Sequence, residues 1–561
     1  MQLLIYKVDS LLRQYRSAIQ HGTKLADSLM GTRIFSTLSS MKLKFKEMVV
    51  SKMIGWLIEG RMEHHWRKER RAIVFLFVIL FVGVVNAQIK PNVLFIVSED
   101  NSEQLGCYGE KRVHTPHLDQ LAASGVRYTR AYVPYSVCSP SRAVFLTGLY
   151  TRQTGHIGLA THKFAMYKDF KTIPAYFKEA GYYNGFLGKT HVNPERLVEA
   201  FVDYRALRNS NFSKTVSIRE YAKQARIVME NAIQAQKPFM LIINYPDAHR
   251  KFVNTTNDGY PSVKIESDIK PFPWIGSDSP HLRQELTNYL SCMNRLDEGI
   301  GMVLKQLDRL KIRKKTLIVY ISDHGADFPR AKGSVYESGV RIPMIVNYPE
   351  VFSAGKVEHQ LVSSIDILPT MLRAASIRIP NHLPGFPLQD LDRGKREGRK
   401  HIHTFTTGSA PALHFIQFGI RDERYKLIVN PYPRKNLLAV SRYTNSKLAG
   451  DQQFDPFLYP DKYELYDLQT DPFEFKNLAK SADHQSKKKE LLNSMRQFQN
   501  AINDPFVHQT NLDFLEDEQL SHQTINYRKK IGFKWPHLEL FREANLEAGD
   551  NNEVEKTGKN N

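Results

Sequence analysis

Cysteine is scarce in this chain. Its 561 residues include three, Cys107, Cys138 and Cys292. At most one disulfide can form, so cross-links are not the main staple of a chain this long. No zinc-finger spacing and no RNA-binding signature occurs, which argues against a nucleic-acid partner. There is no internal repeat, which leaves out repeat architectures. Long hydrophobic runs are also missing. The longest, residues 72–85 (AIVFLFVILFVGVV), has 14 residues, where a membrane-spanning helix needs about 20. Acidic residues are outnumbered, 58 against 78 Lys and Arg, for a formal charge of +20. Residues 1–71 hold 14 basic and 6 acidic residues, a surplus of eight, and the other twelve charges lie downstream. That downstream excess suits an anionic polymer such as a sulfated glycan, and equally a solvated surface.

What is present is enough for a large core. The hydrophobic share is 42%, and the length suggests two or more domains, or one large α/β domain with an appendage. Arg67, Lys68, Arg70 and Arg71 precede the apolar run, and Val85-Asn86-Ala87 follows it. Basic flank, short apolar core and small-x-small ending fit a signal peptide over residues 62–87, starting at Met62. Residues 1–61 then read as an upstream extension absent from the mature protein. The rival is an uncleaved signal-anchor that tethers the chain through residues 72–85. Two sequons, at Asn211 and Asn254, agree with a secretory route.

Four stretches read as strands. Residues 92–98 (NVLFIVS), 239–244 (FMLIIN) and 316–322 (TLIVYIS) are continuous apolar runs of the kind buried on both faces of a parallel sheet. Residues 182–187 form a shorter one. Helical patterns at 172–180, 219–236 and 286–310 alternate with them, which predicts a mostly parallel sheet flanked by helices. In such sheets ligands bind beyond the carboxyl ends of the strands. There the sequence puts Glu99-Asp100, Lys189 with His191, Asp247 with His249 and Arg250, and Asp323-His324. The acidic set suits a hard divalent cation, Ca²⁺ before Mg²⁺, and the histidine admits a transition metal. Lys189, His191, His249, Arg250 and Arg142 read as anion binders.

Residues 380–399, rich in Pro, Gly and charge, read as a connection to a C-terminal part. There, strands at 416–420 and 425–429 and a helix at 486–501 predict a small antiparallel sheet with a packed helix. The expected divisions are a catalytic α/β domain over 88–412, an α+β subdomain over 413–545 and a disordered tail over 546–561.

The segment Cys138-Ser139-Pro140-Ser141-Arg142-Ala143-Val144-Phe145-Leu146-Thr147-Gly148 ties these parts together. Pro140 suits the first turn of a helix, which puts Cys138 at a helix N-terminus, where the dipole favours a thiolate. The pattern Cys-x-Pro-Ser-Arg-x-x-x-Leu-Thr-Gly resembles the signature of the formylglycine-dependent sulfatases, of alkaline-phosphatase-like fold. The resemblance implies that Cys138 is oxidised to formylglycine by the formylglycine-generating enzyme. It implies that Glu99, Asp100, Asp323 and His324, with the group at 138, hold Ca²⁺. Glu99 stands where the family more often has aspartate. The segment from Lys332 through Glu337, Gly339, Arg341 and Pro343 resembles the family's Lys-x-x-x-x-Glu-x-Gly-x-Arg-x-Pro, and makes Lys332 a second sulfate-binding lysine beside Lys189. By the same resemblance, His249 is the general acid, Asp323 accepts the nucleophile's proton, and Arg142 and His191 orient the hydrated aldehyde.

Gly188-Lys189-Thr190-His191-Val192-Asn193-Pro194-Glu195 and Asp247-Ala248-His249-Arg250 resemble segments of the heparan N-sulfatases, the N-sulfoglucosamine sulfohydrolases. The expected activity is hydrolysis of N-sulfated glucosamine in heparan sulfate, in the lysosome or outside the cell, with room for a homodimer. The alternatives are an O-sulfatase on another sulfated glycan and an inactive homologue that only binds such glycans.

Overall fold

The apolar runs are strands with both faces covered. Alternate side chains of a strand point to opposite faces. In β1 (Asn92–Ser98), Leu94 and Ile96 enter one hydrophobic core while Val93, Phe95 and Val97 enter a second. All five are fully buried. At about 1.5–3 kcal/mol for each such side chain, β1 contributes on the order of 10 kcal/mol to fixing the centre of the sheet.

In this computed structural model the described residues are 90–208, 216–266, 269–448, 450–451, 454–523 and 526–544. The extension 1–61, the signal segment 62–87, Asn211 and the tail 546–561 lie outside them. The other strands of the large sheet are β2 (Val126–Tyr132), β3 (Tyr183–Leu187), β4 (Tyr204–Ala206), β5 (Phe239–Tyr245), β6 (Thr316–Ser322), β7 (Arg341–Asn347), β8 (Lys356–Glu358) and β9 (Val362–Ser363). Their order is β4-β3-β5-β1-β6-β7-β2-β8, with β9 also on β2. From β4 to β6 every pairing is parallel, and β7 is antiparallel to both β6 and β2. The four strands read from sequence, β3, β5, β1 and β6, are therefore neighbours in one parallel block.

Five helices matter below. The first, α1 (Cys138–Thr147), is buried along its whole length. Gly148 ends it in the left-handed region (φ 71°), and its N–H bonds the Val144 carbonyl at 2.8 Å, the C-terminal stop that glycine favours. α2 (Ile218–Gln234) and α3 (Pro280–Arg309) cover one face of the sheet, packing Tyr221, Val228, Leu286, Leu290 and Ile300 into the first core. α3 begins six residues before the periodic pattern suggests. The Ser279 hydroxyl caps it by accepting from the Leu282 N–H at 3.1 Å, and Pro280 opens its first turn. α4 (Leu437–Asn445) and α5 (Gln485–Ala501) belong to the C-terminal part.

The second sheet is antiparallel, with strand order β10 (Ile402–Thr406), β11 (Gln417–Arg421), β12 (Tyr425–Val429), β13 (Tyr463–Asp467). Leu491 and Met495 of α5 share a core with Phe418, Ile420, Leu427 and Leu465. The division expected at residue 413 does not match this sheet, because its first strand already starts at Ile402. The segment 380–399 is not purely a connection either. It contains a short helix, Leu388–Asp392, formed because Leu388 and Leu391 share one face and are buried in the second core. No helix among the described residues is long and apolar enough to cross a membrane.

Candidate active site

The parallel block delivers its charged endings to one edge. Glu99 and Asp100 follow β1, Lys189 and His191 follow β3, Asp247 and His249 follow β5, and Asp323 and His324 follow β6. Helix α1 brings Cys138 to the same place as its first residue, after Val137 as cap. Cys138 Sγ lies 3.2 Å from His324 Nε2 and 3.9 Å from Asp100 Oδ1. His324 Nε2 is 3.2 Å from Asp100 Oδ1 and 3.7 Å from Asp323 Oδ1. A Glu99 carboxylate oxygen, a His249 ring nitrogen and Sγ lie within 4.8 Å of one another. Asp100 (φ 53°) and His191 (φ 54°) both occupy the left-handed region, a strain of about 1 kcal/mol or more that persists where the surroundings over-determine the backbone, as at reactive sites.

Buried carboxylates need partners, and each here has one. Lys189 Nζ pairs with Glu99 Oε1. Lys332 Nζ pairs with Asp100 Oδ2 at 2.6 Å. Arg142 Nη2 pairs with Asp323 Oδ2 at 3.0 Å, and its Nη1 donates to Asn244 Oδ1 at 2.6 Å. Burial alone raises the Glu99 carboxyl, but Lys189, His249, Arg142 and Lys332 overcome this and hold it well below the ordinary range. Burial lowers Lys189 and Lys332, yet Glu99 and Asp100 respectively bring their ammonium groups above the usual lysine value. The anion-binding lysines read from sequence are thus already charged, held and desolvated.

One expectation changes. Cys138 is at a helix N-terminus, but its thiol is not an activated thiolate. Burial pushes the thiol up, and Lys332 and Lys189 do not offset it against the added effect of Asp100 and Asp323. Asp323, the expected proton acceptor, is held by two donors, Oδ1 taking the Asp100 N–H at 3.1 Å and Oδ2 taking Arg142. Arg250 Nε lies 3.9 Å from Asp327 Oδ1. Arg250 also pairs with Glu285 and donates to the Asp327 carbonyl at 2.8 Å. His249 Nδ1 donates to the Arg250 carbonyl at 2.6 Å. Both ring nitrogens of His191 are buried without a hydrogen-bond partner among the described residues, and burial, then Lys189, holds the ring well below its ordinary pKa and so neutral.

The donor set fits a divalent cation. Glu99, Asp100, Asp323 and His324 are at most 1% exposed, and the Asp100, His324 and Cys138 ligand atoms lie within 4.8 Å of one another. Three carboxylates packed together without solvent require positive charge, which two lysines and Arg142 now supply. The sequon residue Asn254 is exposed. All three cysteines are free thiols.

Sequence reasoning missed Asp327 and Arg442. Asp327 is buried, with Oδ2 3.8 Å from Lys332 Nζ and Oδ1 2.7 Å from Arg442 Nη1. Burial would raise its carboxyl, but Arg442, Lys332, Arg250 and His249 drive it far below the ordinary range. The second Asp of Asp323-His324-Gly325-Ala326-Asp327 was a readable signal for the first. Arg442 had none, since it arrives on α4 from the C-terminal part.

A parallel sheet whose strand ends gather carboxylates, lysines and a helix-borne cysteine defines a hydrolase of alkaline-phosphatase-like architecture. A model of the Sulfatase family matches residues 91–377, and the chain belongs to that family. A model described as N-sulphoglucosamine sulphohydrolase, C-terminal, matches residues 330–438. An ulvan-active sulfatase of Formosa agariphila is 29% identical over 436 residues, 74% of this chain and 81% of the relative. The N-sulphoglucosamine sulphohydrolase of Homo sapiens is 26% identical over 480 residues, 76% of this chain and 93% of the relative. The solved structure of BT4656 with its substrate D-glucosamine-2-N,6-O-disulfate has a TM-score of 0.60 at 20% identity, covering 74% of this chain and 98% of that one. Sulfatases generally use a formylglycine and a divalent metal.

Proposed function

We propose that this sulfatase hydrolyses the N-sulfate of glucosamine residues in heparan sulfate. The observation that carries this reading is the match of residues 330–438, Lys332 included, to the C-terminal model of the N-sulphoglucosamine sulphohydrolases. The human enzyme of that name also aligns over 93% of its own length. In the net reaction water supplies a hydroxyl to sulfur and a proton to nitrogen, releasing sulfate and the free amine.

Position 138 bears the encoded thiol here, standing in for the formylglycine that would supply the nucleophilic hydroxyl, whose proton Asp323 would accept. Glu99, Asp100, Asp323 and His324 would hold the metal, and their hard oxygen donors favour Ca²⁺. When bound, the ion withdraws electron density from sulfuryl oxygens. Lys189 and Lys332 neutralise the substrate anion with charges already aligned before it arrives. Arg142, fixed by Asp323 and Asn244, and His191, with two open nitrogens, orient the group at 138. As the imidazolium, with its Nδ1–H held by the Arg250 carbonyl, His249 gives its Nε2 proton to the leaving nitrogen, and Arg250 borders the sugar.

A signal at residues 62–87 and glycosylation at Asn254 and Asn211 agree with maturation by the formylglycine-generating enzyme in the secretory pathway, and with a lysosomal or secreted product. One observation favours a second reading, an O-sulfatase on another glycan: the ulvan-active relative has the higher identity, 29%. The intact Cys138 motif speaks against an inactive binder. Assaying the purified protein on matched N-sulfo and O-sulfo glucosamine tests the choice. Sulfate release from the N-sulfo compound is expected, and release from the O-sulfo compound alone would overturn the substrate while leaving the class. Restoration of activity by Ca²⁺ after chelation, and not by Zn²⁺, tests the metal.

A further inference from the structure

The basic stretch before β10 forms one wall of a cavity far from Cys138. This cavity, about 450 Å³, lies between residues 396–403, Tyr150 just beyond α1, and Phe498 of α5. Its volume is in the range that holds small ligands. One side is aromatic. His403 lies flat on Phe498, with ring centres 3.7 Å apart and 6° between planes, and Tyr150 meets Phe498 edge-on at 4.8 Å. The other side is cationic, with Arg396, Arg399 and Lys400.

These charges are less completely matched than those at the reaction centre. Arg399 is paired with Asp366. The Arg396 guanidinium stacks on Phe386 at 3.7 Å, and among the described residues its Nε donates only to the Glu397 carbonyl, at 3.2 Å. Lys400 makes no ion pair with an acid among the described residues, and Glu397 is the one carboxylate on the lining. His403 is more than nine-tenths buried, and its Nδ1 has no hydrogen-bond partner among the described residues. An unsatisfied buried ring nitrogen calls for a partner that the protein does not supply.

We propose that this cavity is a second saccharide site, which takes one sulfated sugar unit. The sugar lies along the aromatic side, and its sulfate meets the guanidinium and ammonium groups, which recognise oxyanions by charge-assisted hydrogen bonds. Helix α1 separates the two sites. Its ten residues rise about 15 Å, so a single sugar bound beyond Tyr150 does not reach Cys138. The inference takes only its ligand class, a sulfated sugar, from the proposed function.

Isothermal titration of the full chain with a heparin-derived disulfated disaccharide tests it, alongside the Arg396→Ala/Lys400→Ala double variant. Both substituted residues are exposed and outside the reaction centre. The wild type is expected to show two classes of site. The double variant should weaken one class at least tenfold, with its melting temperature and its turnover of a sulfated monosaccharide unchanged. Identical titrations for the wild type and the double variant, or equal binding of the fully desulfated disaccharide, overturns the proposal. The readout is binding, so a chain that failed to release N-sulfate would still report on this site.

Discussion

The two ends of helix α1 use charge in opposite ways. At its N-terminus, Cys138 faces Asp100, Asp323 and His324, and every carboxylate is held by Lys189, Lys332 or Arg142 in a solvent-free cluster. At the far end, beyond Gly148, Arg396 and Lys400 stand at a cavity mouth with little acid to meet them, above an aromatic floor. The difference shows what each arrangement can do. Mutually neutralised, buried charges cannot relax when charge develops on a substrate, which is what stabilising a transition state requires. Under-matched charges on an open wall attract an anion and then release it. Catalysis and docking are therefore separable along one helix, and substitutions should separate them.

The largest contrast comes from Cys138→Ala. It should lower turnover by about 10⁴–10⁶-fold, the scale of losing a covalent nucleophile, while saccharide binding at the far cavity stays as in the wild type. Next is Lys332→Ala. We expect kcat/KM to fall about 10²–10³-fold, as when one stabilising donor is removed. Stability should also drop by roughly 3–5 kcal/mol in metal-free protein, because buried Asp100 loses its ammonium partner. Added Ca²⁺ should restore much of the melting temperature without restoring the rate. Asp327→Asn releases one carboxylate from Lys332 and Arg442, with an expected loss of roughly tenfold in kcat/KM. If Arg442 acts through Asp327, adding Arg442→Gln to that variant should cost little more.

A smaller effect links the two ends. Buried His156 accepts the Asn193 N–H at 3.1 Å, tying the chain beyond α1 to the loop that carries His191. Burial lowers its pKa to about 4. Folding favours the neutral ring, so its stabilising share is complete above the unfolded value near 6.5 and is lost as pH falls through 4. Thermal unfolding between pH 7 and 4 should show this as a decline of up to about 3 kcal/mol, and His156→Gln should flatten that part of the curve. Arg396→Ala/Lys400→Ala should leave monosaccharide turnover unchanged.

Much of the reactive end was legible in the sequence, because parallel strands buried on both faces write themselves as continuous apolar runs. Residues 92–98 and 316–322 were bounded correctly, and the charged residue after each strand had to lie at the same edge. What was not legible depends on distance in three dimensions. The Cys138 thiol looked activated from its helix position alone, whereas its burial beside Asp100 and Asp323 decides the protonation state. Arg442 reaches Asp327 from a helix that no local pattern connects to β6. The stretch 380–399 read as a connection because charge density says nothing about the aromatic rings of Tyr150 and Phe498 that close a cavity against its last residues.

The central claim is that residue 138 is the reactive centre in its oxidised form. Peptide mass spectrometry on active protein, produced with the formylglycine-generating enzyme, tests it most directly. The tryptic peptide containing position 138 should carry an aldehyde in place of the thiol, in proportion to specific activity. A fully active preparation whose peptide retains unmodified cysteine would contradict the account.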